Sequence, residues 1–439
     1  MRYFLALVGL LLSTALWSQN LTGRVIDENG VSLVGASVYW SESNSGTVTD
    51  KKGRFELPHQ NSKQLIASFV GYVADTLTIS DQREVTFRLK ISPVLEEVVV
   101  QDRKEGTIIS SIDPIKTENI TSTELRKAAC CDLAGCFETQ SSVDPQVTNV
   151  VTNAKELRIA GLSGVYNQVL LDGLPMIQGL TYTYGISSVP GPLVDNIFVA
   201  KGANSIIQGY ESISGQINVI TKDPDLTEPL FLNAFINSFG EKQLNANTSF
   251  KVGKWKNLLA FHTVQPAGKR DRDKDNFLDV PMLKRYLLLD KWKFGKEGEW
   301  GWNGEITLRY LHEERQGGQV WFDAETDKGS SSVYGQVVQL NQPEILSKTS
   351  FRFNDDHNFS LFLSGFYQDQ NSWFGTVRYD AQQANLYANF QYEWYYSTQN
   401  LLKSGLSYRY LHLEEDISFS ENALGRSYDG QYRRTEHIP

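Results

Sequence analysis

From Asp223 to Pro439 the chain alternates apolar and polar residues with a period of two, and this constrains the fold more than any other feature. Leu244, Ala246, Thr248, Phe250 and Val252 leave one face of a segment whose other face carries Gln243, Asn245, Asn247, Ser249 and Lys251. Ala384, Leu386, Ala388, Phe390, Tyr392, Trp394 and Tyr396 interleave with Asn385, Tyr387, Asn389, Gln391, Glu393 and Tyr395. Trp302, Ile306, Leu308 and Tyr310 oppose Asn303, Glu305, Thr307 and Arg309, and Leu402, Leu406, Tyr408 and Tyr410 oppose Lys403, Ser407 and Arg409. A period of two is that of a β-strand. Repeated strands of about ten residues, several ending in aromatics, are the pattern of a transmembrane barrel, apolar outside and polar within. A soluble sandwich alternates as well, so the pattern alone leaves both open. Aromatic residues at 12% with only 3 Met suit β-walls better than helical bundles.

The first 18 residues read as an address. Arg2 is followed by the apolar run Phe4 to Leu12, and then by small residues Ser13, Thr14, Ala15 and Ser18, the order of a secretory signal peptide. No later stretch reaches the ~18 consecutive apolar residues a spanning helix needs. A chain exported in this way meets a membrane only as a closed set of strands.

Between these ends lie two further zones. From residue 19 to 91, short β-prone runs alternate with turns: Leu21 to Asp27, a hairpin signal at Asn29-Gly30, then Gly35 to Trp40, Gly46 to Asp50, Phe55 to Leu57, Leu65 to Tyr72 and Glu84 to Leu89. This spacing predicts a small β-sandwich. From 92 to 222 the chain opens on Leu95-Glu96-Glu97-Val98-Val99-Val100. A helix is predicted over Leu125 to Ala134, with N-cap residues from Thr121 to Glu124. Strands separated by Gly-dependent turns follow: Glu156 to Gly161, Gln168 to Pro175, Ile197 to Gly202 and Gly215 to Lys222. Together they predict an α+β module.

Two resemblances rest on these residues. Gly23, Asp27, Gly30, Gly35-Ala36, Thr49-Asp50, Gly53 and Phe55 resemble the carboxypeptidase regulatory-like domain, a name that implies no peptidase activity. Arg158 to Gly161, the turn with Asp172, Gly173 and Pro175, and Lys201-Gly202 with Gly215 and Asn218 resemble the plug domain of TonB-dependent outer-membrane receptors. A regulatory-like domain ahead of a plug matches the Bacteroidota type. The resemblance places a TonB box at Leu95, Glu96, Glu97, Val98, Val99 and Val100, where the extended state favoured by β-branched residues suits strand addition to a partner's sheet. The other reading of that segment is a last strand of the sandwich. The expected fold is therefore mainly β, with an N-terminal β-sandwich, an α+β plug and an incomplete antiparallel transmembrane β-barrel over 223–439.

Few groups could carry chemistry. Cys130, Cys131 and Cys136 are the chain's 3 cysteines, one short of a four-ligand zinc site; packing or a disulfide is expected of them. Asp271, Asp273, Asp275 and Asp279 stand at calcium-loop positions, although Asn276 replaces the usual Gly and Met282 the usual Glu. Calcium at that loop is one reading, and an exposed acidic loop balanced by Lys269, Arg270, Arg272 and Lys274 is the other. The 6 His residues show no metalloprotease spacing, and no nucleophile elbow or phosphate loop exists, so no catalytic residue and no enzyme is expected. A net charge of −9 with no basic block speaks against nucleic acid.

The resemblance implies an outer-membrane receptor that takes up a scarce ligand with energy from TonB. Its partners are then TonB, outer-membrane lipid and a small-molecule or chelate substrate. A metal chelate or siderophore, or a cofactor, is the expected cargo. A saccharide or peptide importer of the same architecture, or a surface adhesin that transports nothing, are the alternatives. Lastly, the 217 residues after Lys222 (439 − 222) hold about nine strand-like segments. A plugged barrel needs about 22 strands, so missing strands are expected downstream or on a second chain.

Overall fold

The computed structural model describes residues 20–28, 30–41, 46–58, 64–69, 72–79, 82, 84–90, 107–110, 117–127, 132–202, 212–295, 299–354, 356–397, 400–419 and 426–439. They fall into two compact units, Met1–Arg103 and Lys104–Pro439. Leu95 to Val100, Cys130, Cys131 and the segment expected to be a signal peptide lie outside the described residues.

The first unit contains β1 (Asn20–Asp27), β2 (Ser37–Trp40), β3 (Gly46–Val48), β4 (Arg54–Pro58), β5 (Gln64–Ser68), β6 (Asp75–Thr78) and β7 (Glu84–Leu89). They form two sheets, β4-β1-β7 and β3-β2-β5-β6. Alternation, strict in β2, β4 and β7 and over Asn20 to Val25 of β1, sends every second residue inward, and Trp40, Phe87, Leu21, Leu57, Leu65 and Leu89 close the core. Of the turn expected at Asn29-Gly30, Asn29 lies outside the described residues; Gly30 is in the left-handed region at φ 82°, and Ile26 is bridged to Ser32. No hairpin joins β1 to β2, which lie in different sheets. Gly35, at φ 80°, turns the chain across to the second one.

The second unit begins with β8 (Thr107–Ser110), β9 (Thr117–Thr121), α1 (Ser122–Lys127), β10 (Asp144–Asn149), β11 (Ala154–Arg158), β12 (Asn167–Leu171), β13 (Leu174–Pro175), β14 (Val194–Lys201) and β15 (Gly215–Thr221). Six of the strands make one mixed sheet in the order β13-β12-β15-β14-β9-β8. The helix predicted to reach Ala134 is shorter. Asp132 is already extended, bridged to Pro190, and its carboxylate accepts from Gly135 N at 2.9 Å. Cys136 is consequently buried on a separate 3-10 turn, Gly135–Phe137.

The remaining ten strands are β16 (Leu230–Ile236), β17 (Lys242–Val252), β18 (Trp255–Gln265), β19 (Met282–Phe294), β20 (Gly301–Gly318), β21 (Gly335–Arg352), β22 (His357–Phe374), β23 (Val377–Ser397), β24 (Asn400–Phe419) and β25 (Tyr428–Ile438). They form a single antiparallel meander in chain order, with β16 and β25 at its two edges, so the sheet does not close on itself. Ten strands replace the nine expected. The least legible of them is β25, polar along most of its length, which is a strand because eleven residues pair with β24. Strand length grows from 7 residues in β16 to 21 in β23. The tight turn Gly253-Lys254 lies at one end of the wall, the turn end, and the long connections 266–281 and 319–334 lie at the other, together with the short turn Gly375-Thr376.

The alternation is inside out. Leu244, Leu308, Leu386, Phe390, Leu402 and Leu406 are exposed, whereas Asn245, Arg285, Lys291, Arg309, Glu313, Arg315, Gln368 and Gln383 are buried. A soluble sandwich hides its apolar face, so this wall is built to meet hydrocarbon. Trp255, Trp292, Trp302, Phe351, Phe359 and Trp394 line the outer rim of the turn end, packed ring against ring, as an interfacial girdle requires. The plug sheet is seated against the polar inner face, and Leu346, Tyr387 and Phe362 of the wall join its hydrophobic core.

Candidate functional site

The chemistry of the second unit is concentrated where plug and wall meet. At the turn end, β12 and β13 are joined by the two-residue turn Asp172-Gly173, with φ 50° and 81°. Both central residues of such a turn must take positive φ, which Asp tolerates and Gly favours. Gly173 N donates to Asn218 Oδ1 at 2.9 Å. The Asp172 carboxylate faces the end of β15, where it accepts from Thr221 N at 2.8 Å and from Thr221 Oγ1 at 2.7 Å. Its Oδ2 also receives Lys291 Nζ of β19 at 2.8 Å, and both side chains are almost wholly buried. Burial pushes the Asp172 carboxyl up, but the Lys291 and Lys348 charges and the bonds from Lys291 and Thr221 outweigh it and hold it below the ordinary carboxylate range. Beside it Lys293 binds Asp223 at 2.7 Å and Asp225 at 2.9 Å. One carboxylate thus locks two plug strands together and ties both to the wall.

Above this pair the inner face of β19 to β21 carries a buried charge network. Glu344 accepts from Arg309 Nη1 at 2.7 Å, and Glu313 lies between Arg285 and Arg315. The plug meets these cations with oxygens that bear no charge. Arg309 donates to Ser188 Oγ at 2.7 Å. Arg315 donates to the carbonyls of Thr152 and Asn153 at 2.9 and 3.2 Å and to Ser187 Oγ at 2.6 Å. Bonds from a cation are about twice as strong as neutral ones, so this side of the plug is firmly held.

The β22–β24 side is different. Gln383 accepts from Leu180 N at 2.7 Å and donates to Gln178 O at 3.0 Å, while the Gln178 amide lies between Asn385 and Arg409. On β22 a file of neutral groups, Gln368 to Gln370 to Ser372, is linked by bonds of 3.1 Å. Below, toward the turn end, a cavity of about 890 Å³ separates plug from wall, lined by Asp172, Thr221, Lys348, Ser360, Phe362 and Glu393 among others.

The residues singled out from the sequence divide into three groups. Asp172, Gly173, Pro175 and Asn218 come together at the β12–β13 turn. Arg158 is half exposed and donates to Glu156 at 2.6 Å, and Glu156 also accepts from Ser163 Oγ and Gly164 N. Those bonds outweigh burial and lower its pKa. Gly161 and Gly202 take φ of 78° and 86°, Lys201 is exposed, and Gly215 pairs with Lys201. These glycines serve turns and close packing. In the loop between β18 and β19, the ligand atoms of Asp271, Asp273 and Asp275 lie within 4.8 Å of one another. Asn276 there takes φ 72°, the conformation for which the missing Gly is usually selected. Asp279 stands apart from the other three, accepting from Arg272 N. Sequence reasoning missed Lys291, Arg315 and Gln383. Their one signal is a charge or an amide on the polar face of a period-two strand.

Comparisons with known proteins match these units. Residues 21–100 fit the family model of the CarboxypepD_reg-like domain, and residues 112–216 that of the TonB-dependent Receptor Plug Domain. The chain is 26% identical to TonB-dependent receptor SusC of Bacteroides thetaiotaomicron over 233 residues, 49% of this chain and 22% of that one. It is also 26% identical to TonB-dependent receptor P26 of Formosa agariphila, over 48% of this chain and 21% of that one. The matched stretch is therefore about a fifth of these curated relatives. In fold it resembles P. aeruginosa FpvA bound to a heterologous pyoverdine with iron, with a TM-score of 0.58 and 13% identity. That likeness covers 93% of this chain and 55% of FpvA.

Proposed function

We propose that this chain, which belongs to the TonB-dependent outer-membrane receptors of the Bacteroidota type, serves energy-coupled uptake of a scarce ligand. The observation that carries this is the folded plug seated on the polar inner face of an inside-out wall. Such a seat obstructs the lumen of an outer-membrane barrel, and cargo passes only if the plug is remodelled. The outer membrane has no ATP, so the work comes from a partner, and the reading assigns that role to TonB gripping Leu95 to Val100. A metal chelate or a cofactor is the proposed cargo. The second reading, a saccharide or peptide, is favoured by the neutral amides and hydroxyls of Gln368, Gln370, Ser372 and Gln383.

The test is growth of a strain lacking the gene that encodes this chain under iron, copper, cobalamin or glycan limitation. A defect restricted to a metal or to cobalamin supports the first cargo, and one restricted to a glycan the second. Parental growth under all four would sink the transport reading. A surface adhesin without a barrel would also be released by an alkaline wash, whereas the inside-out wall keeps the protein in the membrane fraction.

A further inference from the structure

Where the plug meets β17 and β18, the wall buries two polar side-chain atoms that have no partner among the described residues, Nε2 of His262 and Oδ1 of Asn247. The two residues are 2% and 5% exposed. Asn245 pairs with His262 across the strands and Asn247 with Ala260, so His262 and Asn247 are diagonal neighbours on the inner face, about 7–8 Å apart at Cα. A cavity of about 10 Å³ lies between wall and plug at this point. It is lined by Asn247, Ala260 and His262 from the wall and by Pro190, Pro192 and Leu193 from the plug, among others.

This corner asks for hydrogen-bond donors. His262 Nδ1 lies 2.7 Å from Asn245 Oδ1, and Asn245 Nδ2 donates to Asn233 Oδ1 at 3.2 Å. An amide oxygen only accepts, so in the neutral ring Nδ1 carries the hydrogen and Nε2 presents a lone pair. Asn247 Oδ1 is likewise an acceptor. The plug residues that line the cavity have no donor to give: Pro190 and Pro192 carry no N–H, and Leu193 N already donates to Pro190 O at 3.1 Å. Ala260, opposite Asn247, is too short to fill the space and brings no polar group. Leaving both acceptors buried and unpaired is costly, so the donor must come from outside the chain.

Size and chemistry together select it. A single water needs a cavity of about 10–15 Å³ lined by at least two polar partners. Its two hydrogens match two acceptors. Two bonds of roughly 2.8 Å through one oxygen bridge atoms up to ~5.6 Å apart, which suits diagonal neighbours. A cation would find no carboxylate in the lining, and acceptors hold no anion.

We propose that His262 and Asn247 form a binding site for one resident water, which donates to Nε2 and to Oδ1 and fills the seam between the Pro190–Leu193 loop of the plug and the wall. Both hydrogens of that water go to the wall, so the plug is seated here across a solvent molecule, and lifting the loop leaves the bonds of the site intact. The assignment concerns the seat of the plug and holds whatever the cargo.

The first test is a crystal structure of the full receptor at a resolution that shows ordered water. Density for a water within roughly 2.7–3.2 Å of both His262 Nε2 and Asn247 Oδ1 is expected. Density that reaches one atom or neither, or a His262 ring turned so that Nε2 bonds to protein, would overturn the assignment. The second test reads the coupling between the two hosts in a double-mutant cycle. His262→Phe keeps a planar ring without the lone pair, and Asn247→Leu keeps a branched side chain without the oxygen. In the unchanged receptor, Asn247→Leu strips the water of one host and should lower the thermal unfolding midpoint in detergent. In His262→Phe the water is already lost, so the same replacement should lower the midpoint by less than half as much. The bond from His262 to Asn245 is absent from both His262→Phe chains and cancels. A shift that keeps half its size or more would show that the two residues share no water. The crystallographic test uses the unchanged receptor, so it stands even where a variant does not fold.

Discussion

Asp172 shows how much one residue can carry when a turn presents it. Its backbone sits at positive φ so that a Gly can follow, and its carboxylate then meets Thr221 and Lys291 at once. Replacing it by Asn leaves Lys291 buried without its counter-charge, a loss of about 3–5 kcal/mol. The sign of the pH dependence follows from the depressed carboxyl. Stability from this pair is present above the unfolded value, ~3.9, and is lost as pH falls through the lower folded value. Protease sensitivity of the plug should therefore rise on the acid side. In Asp172→Asn it should be high already at neutral pH, with a shallower acid limb; an unchanged limb would exclude Asp172 as its source. Gly215 makes a steric demand of a different kind. A Cβ there would lie 2.6 Å from Ala200 O and 2.7 Å from Ile159 Cδ1. Gly215→Ala should cost roughly 1–3 kcal/mol by overpacking, read as a lowered denaturation midpoint; a midpoint equal to the parent's would show that β14 and β15 yield at no cost.

At the scale of elements, strand positions were legible and partners were not. The alternation read from Gln243 to Val252 is β17, Lys242–Val252, and that from Ala384 to Tyr396 lies within β23, Val377–Ser397. The reason is physical: a wall between hydrocarbon and a polar plug must alternate, and each alternation is written locally. Lys291 meets Asp172 across 119 positions and Gln383 meets Gln178 across 205, and no local pattern encodes such distances. The helix end was misread for a related reason, since the bridge from Asp132 to Pro190 overrides local propensity. For the segment Leu95 to Val100, the proposed grip by strand addition makes one sharp demand. Val98→Pro removes a backbone donor and blocks pairing, so uptake should collapse while ligand binding to whole cells stays at the parental level. Parental uptake by Val98→Pro would refute the assignment.

For the whole molecule, direction follows from the plug. The chain leaves β15 at Thr221, beside the turn end of β19, and enters β16 from there, so the long connections 266–281 and 319–334 open on the opposite side. In outer-membrane barrels short turns face the periplasm and long loops the medium. A peptide tag inserted after Asn276 should then be reached by antibody on intact cells; staining that requires permeabilised cells would invert the topology. The height of the wall has a separate consequence. At 21 residues and about 3.4 Å per residue, β23 is ~70 Å long, or ~55 Å upright at a tilt of about 40°, against an apolar band of ~25 Å. Much of it therefore stands above the bilayer as a parapet. A solute that lets go of the plug at the floor of such a well strikes the floor again many times before it diffuses over the rim. Retention is then set partly by the depth of the well, and a weak contact at the floor can hold cargo as long as a strong one would on an open surface.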